Sequence, residues 1–203
     1  MSSFLDSGFA TRLLKKPGPL DNKYTRGSVG FVSGSSPYPG AALLGINAAF
    51  EVEIGIVEYL GPEPIASFVI SNRPEVIPGI KKAKAQVVGS GVSPTDETQV
   101  ANVQNALALG LPMVIDAQAL QVANFASLAE LFLITPHAKE AERLFHRFGI
   151  ERNATEIAAN PLPNAQELAE LVGGNVLLKG SISVIAGPGF QPVEVGPLSP
   201  RLA

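Results

Sequence analysis

Five places in this chain set small, polar or ionisable residues directly after an apolar run: Gly34-Ser35-Ser36, Gly89-Ser90-Gly91, Asp116, Thr135-Pro136-His137 and Lys179-Gly180-Ser181. Glycine and serine ahead of a helix leave backbone N–H groups and the helix N-terminus open, which suits an anionic or polar ligand. A lysine that ends a buried run needs an anion beside it, and phosphate is the contact expected of Lys179. A histidine on such a loop can donate or accept toward a cleft, and this is the role expected of His137. Asp116 either caps the turn that follows it or contacts a ligand. One Gly-rich turn alone reads as ordinary tight-turn structure. Five together carry the signal.

The stretch "GFVSGSSPYPGAALL", residues 30–44, holds one of these loops, with Gly34, Tyr38 and Gly40 as its candidate contacts. It is not a Walker A motif, because no Lys-Ser/Thr follows Gly40, and the chain contains no GxGxxG. His146 lies four residues after Glu142, opposite Leu144, Phe145 and Phe148, and reads as a solvated helix position. The run Lys81-Lys82-Ala83-Lys84 reads as a solvated face.

These loops need strands behind them and helices in front. The pattern predicts strands at 29–33, 54–60, 86–88, 113–116 and 131–135, and a hairpin of 175–179 with 183–186. Helices are expected at 40–52, after a Ser93 cap with Pro94 in the first turn, at 138–148, and at 164–172 behind a Pro-rich turn at 161–163. The first helix is apolar nearly all round, which predicts burial on several sides. Gly40, Ala41, Ala42 and Gly45 keep it thin enough for a backbone or a ligand to approach. Strands alternating with helices predict a three-layer α/β/α fold on a mainly parallel open sheet, in a single domain over 1–203. In such sheets ligands sit beyond the carboxyl ends of the strands, so the five loops should share one edge.

Composition narrows the function classes. Hydrophobic residues at 46% and charged residues at 16% describe a chain with a buried core. A net charge of -3 argues against a broad nucleic-acid surface. Without cysteine there are no disulfides and no thiolate metal sites, and two histidines argue against a His-rich metal site. No apolar run approaches the ~20 residues that span a bilayer, and the start lacks a secretory pattern, so a cytoplasmic protein without a membrane partner is expected.

"KYTRGSVGFVSGSSPYPGAALL", "VVGSG", "VIDAQAL", "LITPHAKEAERL" and "VLLKGSISVIAGPG", in that order, resemble the ADP-dependent NAD(P)H-hydrate dehydratases of the ribokinase-like superfamily. The resemblance implies a ribokinase-like fold and a nicotinamide nucleotide repair enzyme, a lyase. Its substrate would be hydrated NADH or NADPH, and ADP (or ATP) the phosphoryl donor, with Mg2+ accompanying the phosphates. Carried over by match, Ala41, Gly91 and His137 would contact the hydrated dinucleotide. Lys179, Gly180, Ser181, Ile182 and Ser183 would line the nucleotide site. No dedicated metal cage is read from the residues.

The chain reads Asp116-Ala117-Gln118 where the family has Asp-Ala-Asp, and Gly89-Ser90-Gly91 where it has Gly-Pro-Gly. Family members continue past "SPRLA" into a Gly-x-Gly-Asp segment whose Asp is the expected base. The resemblance therefore places the catalytic Asp beyond Ala203 and implies a C-terminally incomplete fold. Apolar surface left by the missing helices is expected to be covered by a partner chain, as in a homo-oligomer, or by the rest of a longer enzyme. Two other functions fit the same residues: a small-molecule kinase of the same superfamily, acting on a vitamin precursor or sugar, and a non-catalytic nucleotide-binding module.

Overall fold

The structure is a computed structural model that describes residues 16–128 and 131–196. The described residues divide into two compact units, 16–123 and 124–128 with 131–196.

In the first unit the strands are β1 (Ser28–Val32), β2 (Ile56–Tyr59), β3 (Ile77–Pro78), β4 (Ala85–Val88) and β5 (Met113–Ile115). They lie in the order β3-β2-β1-β4-β5, and every pair is parallel. Parallel neighbours need crossover helices, supplied by α1 (Pro39–Glu51), α2 (Glu63–Asn72) and α3 (Glu97–Leu107), and the short α4 (Gln118–Val122) follows β5. Phe31, Ala42, Ile46, Val57, Tyr59, Ile65 and Val69 form a core between strands and helices. The thinness of α1 serves this core: a Cβ on Gly45 would stand 2.9 Å from the Phe31 ring. The all-round burial expected of α1 is not found. Only Ala42 and Ile46 are buried, and Leu44 stands 73% exposed. One face of α1 meets the core, so its apolar composition exceeds what packing uses.

The start of α3 also differs from expectation. Ser93 does not cap it; its hydroxyl bonds to Thr95 Oγ1 at 2.8 Å and accepts from the Thr95 N–H, a local turn. Asp96 is the cap, its carboxylate accepting from the Gln99 N–H at 3.0 Å. The Lys81–Ala83 segment is more than a solvated face. Lys81 and Lys82 are exposed, but the N–H groups of Lys81, Lys82 and Ala83 donate at 2.7–3.0 Å to the carboxylate of Glu58, which is 1% exposed on β2. Those bonds offset the cost of burying that charge.

The second unit carries β6 (Phe132–Ile134), β7 (Asn175–Leu178), β8 (Ser183–Ala186) and β9 (Val193–Val195) in spatial order. β6 and β7 are parallel, β7–β8 is the expected antiparallel hairpin with Leu178 opposite Val184, and β9 extends it. Its helices are α5 (Ala138–Arg147), α6 (Ala154–Ala159) and α7 (Pro161–Val172). The prolines at 161–163 do not form a turn ahead of α7. They are its first turn, where a missing N–H costs nothing and a fixed φ helps. Gly173, at φ +67, ends that helix. Arg152 bonds to Asn164 and Glu167 of α7 and lies over the Phe145 ring, tying the loop before α6 to both neighbouring helices. The architecture is α/β, mainly parallel strands flanked by helices. Among the described residues no helix is long and apolar enough to cross a membrane.

Candidate functional site

In the first unit three strand-end loops are stitched together. The Gly34 N–H donates to the Ser90 carbonyl at 2.7 Å. Ser35, fully buried, donates from its hydroxyl to the Gly91 carbonyl at 2.7 Å and accepts from the Ser93 N–H at 3.0 Å. Ser90 donates to the Asp116 carboxylate at 2.7 Å. The cap position of α4 is Ala117, which makes no side-chain cap bond. Ala117 holds φ 47° and ψ −117°, a backbone state that L-residues avoid and that surrounding structure must enforce.

The glycines of the second loop are there for space. Gly91 has φ +66, and a Cβ on it would stand 2.3 Å from the Ala41 Cβ and 3.2 Å from the Tyr38 carbonyl. Ala41, Tyr38 and Gly91 are thus packed against one another. Gly89 has φ +105, and a Cβ there would reach the Asp116 carbonyl at 2.1 Å. Gly40 differs: nothing lies within 4 Å of where its Cβ would be. α1 begins beside these loops with Pro39 in its first turn and no side-chain cap at Tyr38, whose ring is exposed. Below, the Tyr59 hydroxyl and the Gln99 amide both donate to the Ser33 carbonyl, at 2.9 and 3.1 Å. Burial, with a smaller contribution from the Asp96 charge, pushes the Tyr59 phenol well above its ordinary range.

The second unit brings His137 and Lys179 together. The Lys179 N–H donates to the Pro136 carbonyl at 2.8 Å, and the two residues form a parallel bridge. Their loops open on a cavity of about 370 Å³, with Lys139, Ile157, Pro161 and Ile182 among its walls. Gly180 and Ser181 line it as well, so four of the five residues expected to hold a nucleotide share one cavity with His137. Ser183 instead closes the turn: it is buried and exchanges hydrogen bonds with Gly180 at 3.3 and 3.4 Å. A second cavity, about 460 Å³, lies between α7 and the Gly187–Phe190 turn, and no expected site residue lines it.

His137 has a duty that sequence reasoning did not assign. Its Nδ1 accepts from the N–H groups of Lys139 and Glu140 at 3.1 and 3.4 Å, and the Glu140 carboxylate accepts from the His137 N–H at 2.9 Å. This is a capping box for α5 with histidine as the cap. Lys139, Ile157 and Pro161 were not expected at a site. For Ile157 the one signal was Asn153-x-x-Glu156, which starts α6, and for Pro161 it was the proline run that opens α7. His146 is exposed, as expected, 3.4 Å from Glu151. Among the described residues no three His, Asp or Glu side chains gather as a metal site.

The family profile described as NAD(P)H-hydrate dehydratase matches residues 29–196. The bifunctional NAD(P)H-hydrate repair enzyme Nnr of Mycobacterium tuberculosis is 38% identical over 191 residues, 89% of this chain and 38% of its own length. The ADP-dependent (S)-NAD(P)H-hydrate dehydratase of Xanthomonas campestris is 29% identical over 200 residues, 88% of this chain and 67% of its own length. The chain thus spans well under half of the mycobacterial relative and about two thirds of the other. The ADP/ATP-dependent NAD(P)H-hydrate dehydratase of Bacillus subtilis, co-crystallised with ATP/Mg2+, superposes with a TM-score of 0.75 at 24% identity, over 90% of this chain and 68% of that one. That likeness speaks to the fold. With the profile running from β1 to just past β9, the chain belongs to the NAD(P)H-hydrate dehydratase family.

Proposed function

We propose that the protein repairs nicotinamide nucleotides, using ADP to dehydrate hydrated NADH or NADPH back to the working cofactor. The observation that carries this is the cavity of about 370 Å³, whose walls include Lys179, Gly180, Ser181 and Ile182 beside His137. Apolar walls from Ile157, Pro161 and Ile182 suit a nucleoside, and the Lys179 ammonium suits its phosphates. The second ligand, the hydrated dinucleotide, is assigned to the loops of Ala41 and Gly91, which pack against each other through small side chains.

Hydroxide is a poor leaving group from the nicotinamide ring. The terminal phosphoryl of ADP passes to the C6 hydroxyl, releasing AMP and the hydroxyl proton. Phosphate then leaves as the ring loses its C5 proton, and the C5–C6 double bond is restored. Hydrated NADH plus ADP becomes NADH, AMP and phosphate, so the elements of water end up in the phosphate. What this chain's residues contribute is placement and fixed dipoles around developing charge. The described residues offer no protein cage for Mg2+.

The test is to incubate the full-length protein with ADP and hydrated NADH and follow the absorbance of reduced nicotinamide. Its return, with AMP and phosphate in equal amounts, is the expected result. Phosphorylation of a vitamin-precursor or sugar alcohol with no such return would identify a small-molecule kinase. Binding of ADP with no turnover at high protein concentration would identify a nucleotide-binding module.

A further inference from the structure

The His137 ring has two nitrogens, and the fold has already used one of them. Nδ1 accepts from two backbone N–H groups at the start of α5, at 3.1 and 3.4 Å. A nitrogen that accepts cannot carry a proton, and a neutral imidazole carries its single proton on the other nitrogen. Nε2 lies 3.6 Å from Glu140 Oε1, outside hydrogen-bond distance, and the His137 side chain is 50% exposed on the wall of the cavity. The other charges near the ring are Lys139 on α5 and Lys179 across the bridge, both on the same wall.

We infer that the capping box locks His137 in the Nε2–H tautomer, making it a fixed hydrogen-bond donor to a phosphate oxygen of the ligand in this cavity. It is a positioning residue and not a proton acceptor. Two consequences follow from the hydrogen-bond inventory. His137 cannot take the proton of the substrate hydroxyl, because its accepting nitrogen faces the helix. An imidazolium has no acceptor, so protonating the ring breaks the cap and donation survives only at the cost of the α5 start. This rests on the proposed function for the ligand's identity. The phosphate could belong to ADP or to the pyrophosphate of the dinucleotide, which share the same acceptor chemistry.

The chain has only two histidines, so their ring nitrogens are separable by two-bond 1H–15N correlation, with His146→Gln giving the assignment. At pH 7.5 the expected spectrum shows His137 with Nε2 protonated and Nδ1 bare. An Nδ1–H tautomer or an imidazolium overturns the inference. The second arm is His137→Asn, since Asn caps helices well but offers no distal ring donor. Thermal stability should stay within about 2 °C of wild type, while His137→Ala loses several degrees. Affinity by calorimetry should fall at least roughly tenfold for one of two probes, ADP alone or NADPH alone. The probe affected identifies which phosphate His137 meets. Unchanged affinity of His137→Asn for both overturns this inference and leaves the repair function standing. Failure of wild type to bind either probe removes the function and the ligand half of the inference together, while the spectrum still decides the tautomer.

Discussion

The contact between Gly91 and Ala41 can be measured as a coupling energy. Gly91→Ala meets two obstacles: a left-handed backbone that costs an L-residue about 1 kcal/mol, and a Cβ that would stand 2.3 Å from the Ala41 Cβ. Overpacking of that severity costs about 2 kcal/mol. The single variant should lose ~3 kcal/mol, roughly 6–12 °C in Tm for a chain of this size. Ala41→Gly alone should cost about 1 kcal/mol, since it puts glycine in the first turn of a helix. The double variant removes the clash and keeps only the backbone terms, so it should cost about 2 kcal/mol where additivity demands ~4. Urea unfolding of all four proteins gives the coupling directly. A coupling below about 0.5 kcal/mol, within the scatter of independent sites, would show that the two loops do not touch as described. Gly89→Ala supplies the control. Its added Cβ meets the Asp116 backbone carbonyl at 2.1 Å, so no side-chain trimming at Ala119 should rescue it.

Four further outcomes are expected. Ala117→Gly should stabilise the protein by roughly 1 kcal/mol, because glycine adopts φ 47° and ψ −117° without strain; a loss of stability would show that the Ala117 methyl does more than the backbone suggests. Glu58→Gln should cost ~2–4 kcal/mol and speed amide exchange at 81–83, since an amide offers one acceptor oxygen where three N–H groups converge; unchanged exchange there would refute the clamp. The raised Tyr59 phenol favours the neutral form in the folded state, so its contribution is complete below the ordinary phenol range and is lost as pH rises through and beyond it. Alkaline unfolding should therefore lose part of its pH dependence in Tyr59→Phe, and an identical profile would contradict that. Lys179→Ala should weaken ADP more than dinucleotide, and Ala41→Leu the reverse; equal effects on both ligands in calorimetry would count against the two-loop assignment.

What could be read from the sequence was whatever has a local signature. Alternation of apolar runs and helical faces is periodic, so β1, β2, β4, β5 and the β7–β8 hairpin were found, with ends off by a residue or two. The strand-end loops were legible because glycine and serine cluster there and parallel topology fixes which strand end carries them. What failed depends on partners distant in sequence. Ser93 looks like a cap, but its N–H is held by Ser35, 58 residues away, and its hydroxyl turns to Thr95. Glu58 sits in the middle of an apolar strand with no visible partner, since what it meets is backbone, and backbone leaves no mark on residue type. His137 advertises a side chain for chemistry and conceals that one nitrogen is committed to a helix start. α2 and α6 were missed for different reasons. The first is rich in β-branched and aromatic residues with no side-chain cap, and the second is only six residues long behind a legible Asn-x-x-Glu box.

A crystal of the protein soaked with ADP tests the central claim most directly. The nucleoside should lie against Ile157, Pro161 and Ile182, with its phosphates at Lys179 and one phosphate oxygen or the adjoining ligand within hydrogen-bond reach of His137 Nε2. Density for ADP in the cavity beside Phe190, or none at Lys179 under saturating nucleotide, would contradict the account.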